Sequence, residues 1–164
     1  MTRLDQWVTV ARTLRAMQRE TPTSPPDDPK DFSRYLAGLL QELPRELAGA
    51  LGAADTDAVV MALAVLADEE IRCRLYPETP HLWPGIQVHL FHRECCGDLF
   101  CDMLEKRLAA PPVEDGLFVI QVACFCLRSG YRGRWAEDDK GRDDLQHKVH
   151  RWLEEGMKQI DETP

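Results

Sequence analysis

AVVMALAVLADEE, Ala58 to Glu70, decides the fold. Ala58–Ala67 is apolar on every side. A helix with no polar face must be buried all round, so this segment is expected at the centre of the molecule. Charge then arrives abruptly at Asp68-Glu69-Glu70. Carboxylates directly after such a run lie at the edge of the core, where an unpaired one is costly to bury. Either they form a solvated helix end, or Asp68 or Glu69 faces inward and is met by an arginine. Arg128, Arg132 and Arg134 are the expected suppliers, because they follow the second strongly apolar segment, Val113–Ser129.

Working outward, the central helix is expected over Asp55–Tyr76. Before it, Leu4, Trp7, Val8, Ala11, Leu14 and Met17 recur at helical spacing and predict an amphipathic opening helix. The Pro-rich stretch 21–29, TPTSPPDDP, breaks it. Asp28 then caps a helix with Pro29 at its first position, with Phe32, Tyr35, Leu36, Leu39, Leu40 and Leu43 as its apolar face. Pro44 kinks or restarts that helix. After the centre, Trp83–Phe91 reads as a short helix. Cys96–Leu108 reads as another, with Leu99, Phe100, Met103, Leu104 and Leu108 inward. Residues 136–144 read as an acidic loop. Leu145, Val149, Trp152, Leu153, Met157 and Ile160 mark a last helix. No strand alternation and no internal repeat is present. The expected fold is all-α, about seven to eight helices in two packed helical bundles, with 1–164 a single domain.

Composition narrows the function. The 164 residues carry a net charge of −8, which disfavours nucleic acid as a partner. The longest apolar runs, Ala58–Ala67 and Leu117–Leu127, are shorter than the roughly 20 residues a bilayer-spanning helix needs, so no transmembrane segment is expected. Met1–Glu20 lacks the apolar core of a secretory signal. The six cysteines, Cys73, Cys95, Cys96, Cys101, Cys124 and Cys126, are therefore expected to be reduced thiols. Together with His81, His89 and His92 they raise a small zinc- or thiol-dependent enzyme as an alternative. However, Cys101, Cys124 and Cys126 fall in apolar helices, and Cys124 and Cys126 point about 200° apart. Buried packing is the expected role. No phosphate-binding or nucleophile-elbow motif occurs. No catalytic residue, metal, cofactor or small-molecule substrate is assigned. An unrelated helical adaptor is a further alternative.

Cys126–Trp135, CLRSGYRGRW, is locally basic in an acidic chain. Arg128 suits a helix C-terminus and Gly130 a left-handed cap. Tyr131 then folds onto the core, Gly133 permits a second turn and Trp135 closes the segment.

In order along the chain, these features resemble the DotU/IcmH family, called TssL in type VI secretion systems. Leu66-Ala-Asp68-Glu69 matches the family's L-x-D-E. Trp83, Leu90-Phe91 and Gly97-Asp98-Leu99-Phe100 follow, and Cys126–Trp135 completes the set, with Gly130, Tyr131, Gly133 and Arg134 as its fixed points. The resemblance covers nearly the whole chain. It implies a two-bundle cytoplasmic domain without enzymatic activity, at the cytoplasmic face of the bacterial inner membrane. It further implies docking to an IcmF/TssM-type membrane protein and to baseplate proteins of the TssK and TssE types, with a homodimer also conceivable. Glu70, Glu94, Asp98, Arg132 and Arg134 are the candidate partner-binding residues. Two departures stand out. Cys101 occupies a position that is often phenylalanine, and the chain ends at Asp161–Pro164 without the C-terminal membrane helix typical of the family.

Overall fold

The computed structural model describes residues 1–93 and 96–161; Glu94 and Cys95 lie outside the described residues. It is all-α, with α1 (Arg3–Glu20), α2 (Pro29–Gln41), α3 (Leu43–Leu47), α4 (Ala53–Leu75), α5 (Ile86–Phe91), α6 (Cys96–Leu108), α7 (Glu114–Arg128) and α8 (Asp139–Asp161). Short 3-10 turns precede α5 and α8, at Pro80–Leu82 and Gly133–Trp135. No helix among the described residues is long and apolar enough to cross a membrane.

α4 is the axle. Val59, Leu63 and Ala64 are fully buried and Ala58, Val60, Ala62, Val65 and Leu66 nearly so, while Met61 and Ala67 are half-buried. Packing falls into two groups that share α4. α1, α2, α3 and α5 pack among themselves on one part of it, while α6, α7 and α8 pack together on another. Trp7 of α1 bridges the groups, edge-on to Phe118 and Phe125 of α7. Its indole N–H donates to Gln121 at 3.3 Å.

Local chemistry sets the helix ends. Thr2 and Asp5 form a reciprocal capping box on α1. Asp28 accepts from the Asp31 N–H, and Pro29 opens α2. α7 ends as the glycine cap requires: Gly130 sits at φ 104°, the Tyr131 N–H reaches the Cys126 carbonyl and the Gly130 N–H that of Leu127. That pair of bonds is the Schellman closure.

Four expectations change. Leu4 and Val8 are 72% and 57% exposed, so the opening helix does not bury its whole apolar stripe. Val8 and Met17 stand about 180° apart on the helix, and α1 buries the side carrying Gln6, Thr9, Val10 and Met17. The helix expected at Trp83 starts at Ile86. The acidic stretch 136–144 is loop only to Asp138, because Asp138 accepts from the Gly141 N–H and caps α8; acidic residues suit a helix's first turn. Tyr35, Leu99 and Met157, expected inward, are exposed; the side chain of Ile160 lies outside what is described.

Candidate functional site

Adjacent carboxylates on α4 hold two different loops. Asp68 is fully buried. Its Oδ1 accepts from the Trp83 indole at 2.8 Å and the Ile86 N–H at 2.6 Å, and its Oδ2 from the Gln87 N–H at 3.2 Å. The two amides are the first donors of α5, free because a helix's first turn has no internal acceptors. The backbone at Gly85 favours glycine through its dihedral and not through crowding. It lies at φ 89°, and a Cβ there would sit 3.4 Å from Asp68 Oδ2. Burial pushes the Asp68 carboxyl above its ordinary value, against the opposing hydrogen bonds from Ile86, Trp83 and Gln87. Trp83 is itself buried, stacked on Tyr76 and tilted against Phe32.

Glu69, one residue on, is half-buried and turned toward the loop after α7. Its Oε1 accepts from the Arg132 N–H at 2.7 Å and its Oε2 from the Gly133 N–H at 3.0 Å. Arg132 is right-handed helical, and Gly133 has φ 51°. This succession turns consecutive N–H groups the same way, into an anion-binding nest. A Cβ at Gly133 would lie 2.5 Å from the Tyr131 hydroxyl, so the position excludes a side chain. The expectation of a guanidinium partner is thus corrected: among the described residues, backbone amides, one indole and the Gln87 side-chain amide meet Asp68 and Glu69. Arg128 is exposed.

The rest of the loop grips α6. Tyr131 is buried edge-on to Phe100, its hydroxyl 3.4 Å from the Gly97 carbonyl. Gly97 keeps that approach open, since a Cβ would lie 3.0 Å from the hydroxyl. Arg134 donates to the Asp98 carbonyl at 2.9 Å, pairs with Asp102, and lies 3.7 Å from Glu105. Its guanidinium also sits 5.6 Å from the Trp135 ring. The hydrogen bond to Asp102 raises its basicity further.

Between these pieces opens a recess of about 250 Å³, bordered by Glu69, Gln87, Gly97, Asp98, Tyr131 and Arg134. The structure therefore brings Glu69, Gly97, Asp98, Tyr131, Gly133 and Arg134 to one place. Asp68 and Trp83 lie behind it, and the Arg132 side chain is exposed beside it. Gly130 closes α7 nearby, and Phe91 is half-buried at the end of α5. Glu70 is not part of the recess; it pairs with Arg74 at 3.8 Å on another face. Sequence reasoning missed Gly85 and the α5 amides, although Pro84-Gly85 is a visible turn signal. It also missed Asp102 and Glu105 as the partners of Arg134.

The described cysteines are dispersed. Cys101 and Cys126 are buried, and burial raises both thiols. Cys126 lies 3.5 Å from the Ala62 carbonyl. Cys124 is 3.7 Å from His150 Nε2, and Cys73 is exposed. No group of three or more histidine, cysteine or acidic side chains among the described residues could hold a metal ion.

Two solved structures share the fold. One is SciP/TssL of the type VI secretion system from enteroaggregative Escherichia coli 042, at 21% identity and TM-score 0.69, covering 88% of this chain and 85% of that one. The other is the cytoplasmic domain of TssL from Acinetobacter baumannii, at 21% identity and TM-score 0.66, covering 96% and 98%. No curated protein matches the chain. The model for the family described as type VI secretion system protein DotU matches residues 6–163. With nearly its whole length matched, the chain belongs to the DotU family of type VI secretion proteins.

Proposed function

We propose that this chain is a docking subunit of a type VI secretion membrane complex, acting without a chemical step of its own. Family membership over residues 6–163 is the observation that carries this reading. The geometry supports it. The acids nearest the core are committed to fixed hydrogen bonds, Asp68 to the Trp83 indole, Ile86 and Gln87, and Glu69 to the Arg132 and Gly133 amides. A general acid or base needs its proton free to move toward a substrate. What the site offers is a polar recess lined by Asp98 and Arg134, with exposed Arg132 beside it in the loop. Pinned backbone on three elements suits recognition, because little order is lost on binding.

In this reading the chain works at the cytoplasmic face of the inner membrane. It binds a large IcmF/TssM-type membrane protein and baseplate proteins of the TssK and TssE types. Affinity capture with the purified cytoplasmic part of the membrane partner and with the baseplate proteins of the same operon is the test. Stoichiometric retention of at least one is expected. Retention of neither, by a chain that circular dichroism shows to be folded, overturns the reading.

A further inference from the structure

α1 presents a face that the fold leaves unused. Leu4 and Val8 stand exposed on it, and Arg15 and Arg19 continue it toward the helix C-terminus. Both arginines are exposed, and neither has an ionic partner among the described residues, whereas neighbouring Arg12 pairs with Glu46. Two uncompensated cations on one face locally invert the charge of a chain whose net charge is −8.

Beside this face lies a recess of about 240 Å³ between α1, α4 and α7. Leu14, Met17, Leu66 and Phe125 give it an apolar lining, and Gln18 borders both it and the groove over Val8, Arg15 and Arg19. Its far rim is neutralised. Glu70 pairs with Arg74, and Arg74 also donates to the Pro22 carbonyl at 3.4 Å. Among the residues that line the recess and the adjoining groove, the uncompensated positive charge is that of Arg15 and Arg19 on α1.

A recess of this shape takes a projecting apolar side chain, and the cations beside it take carboxylates carried on the same segment. A bilayer surface offers no such projection, and a net charge of −8 opposes approach to anionic lipid. We propose that this surface docks an acidic amphipathic helix of a protein partner, with an apolar anchor in the recess and carboxylates on Arg15 and Arg19. The inference does not rest on the recess beside Glu69, from which it shares no lining residue.

The test is an amide-shift titration of the labelled chain with a synthetic helical peptide of about five turns. The peptide carries leucines at i, i+4 and i+7, with glutamates along both flanks. Saturable shifts confined to Leu14, Arg15, Gln18, Arg19 and Ser129 are expected. Arg15→Glu with Arg19→Glu should weaken binding about tenfold or more and flatten its salt dependence. Serines in place of the peptide's leucines should weaken it comparably. The two arginines are exposed, so the double variant should melt like the parent. Three results overturn the proposal. One is no shift in this region, or equal affinity in the double variant. Another is shifts produced by phosphatidylglycerol vesicles and not by the peptide. The third is a concentration-dependent dimer, seen by sedimentation, that the double variant abolishes.

Discussion

Asp68 shows how far a single residue can be read in advance. A carboxylate at the end of a ten-residue apolar run had to be answered by something, and the chain made that legible. What answers it was not legible, because backbone N–H groups carry no sequence signature. Side-chain cations do, so the arginines after α7 drew the expectation. The consequence is testable. Asp68→Ala leaves an indole, two backbone amides and the Gln87 side chain without their acceptor in a buried site, and should cost about 3 kcal/mol by urea unfolding. The pH dependence has a definite sign. Burial raises the folded Asp68 value, so the folded chain takes up this proton at higher pH than the unfolded one. The contribution is then complete below the unfolded value, near 3.9, and is lost as pH rises through the folded value. The stability gap between the parent and Asp68→Asn should narrow from pH 4 to pH 7. A widening gap would show that the hydrogen bonds outweigh desolvation.

At the scale of elements, helices were legible wherever caps and periodicity agreed. Asp28-Pro29 opens α2 and Gly130 closes α7, both as their residue types require. α1 departs from expectation because its apolar residues span about half of the helix circumference, and periodicity alone cannot choose which part of that arc is buried. α8 starts earlier than the sequence suggests because acidic residues serve a helix's first turn as well as a loop. The loop between α7 and α8 yields a contrast between two glycines. Gly133→Ala meets the Tyr131 hydroxyl and should cost about 2 kcal/mol, lowering Tm by roughly 4–8 °C. Gly130→Ala enters open space, so it should cost only the backbone term, about 1 kcal/mol. Equal melting temperatures for the two variants would contradict the nest geometry around Glu69.

For the whole molecule, one continuous core built around α4 explains why five short motifs far apart in sequence behave as a unit. Asp68 fixes the segment from Trp83 to Gln87, Glu69 fixes the loop after α7, and Arg134 fixes α6. The order of those motifs was visible in the chain; their convergence needed coordinates. The thiols follow the same division between surface and core. With iodoacetamide at pH 8, peptide mapping should show Cys73 modified first, and Cys101 and Cys126 modified only on unfolding. Fast labelling of Cys101 would revive a thiol chemistry that its burial argues against.

The central claim is that the recess beside Glu69 is a docking surface. Its most direct test is the affinity of the purified chain for the cytoplasmic part of the IcmF/TssM-type protein and for the baseplate proteins, with and without Asp98→Lys and Arg132→Glu. Both side chains are exposed, Asp98 lying 3.9 Å from Arg134, and circular dichroism of the double variant checks that it is folded. Saturable binding of at least one partner by the parent is expected, with about a tenfold or greater loss in the folded double variant. Unchanged affinity for every partner that the parent binds would contradict it.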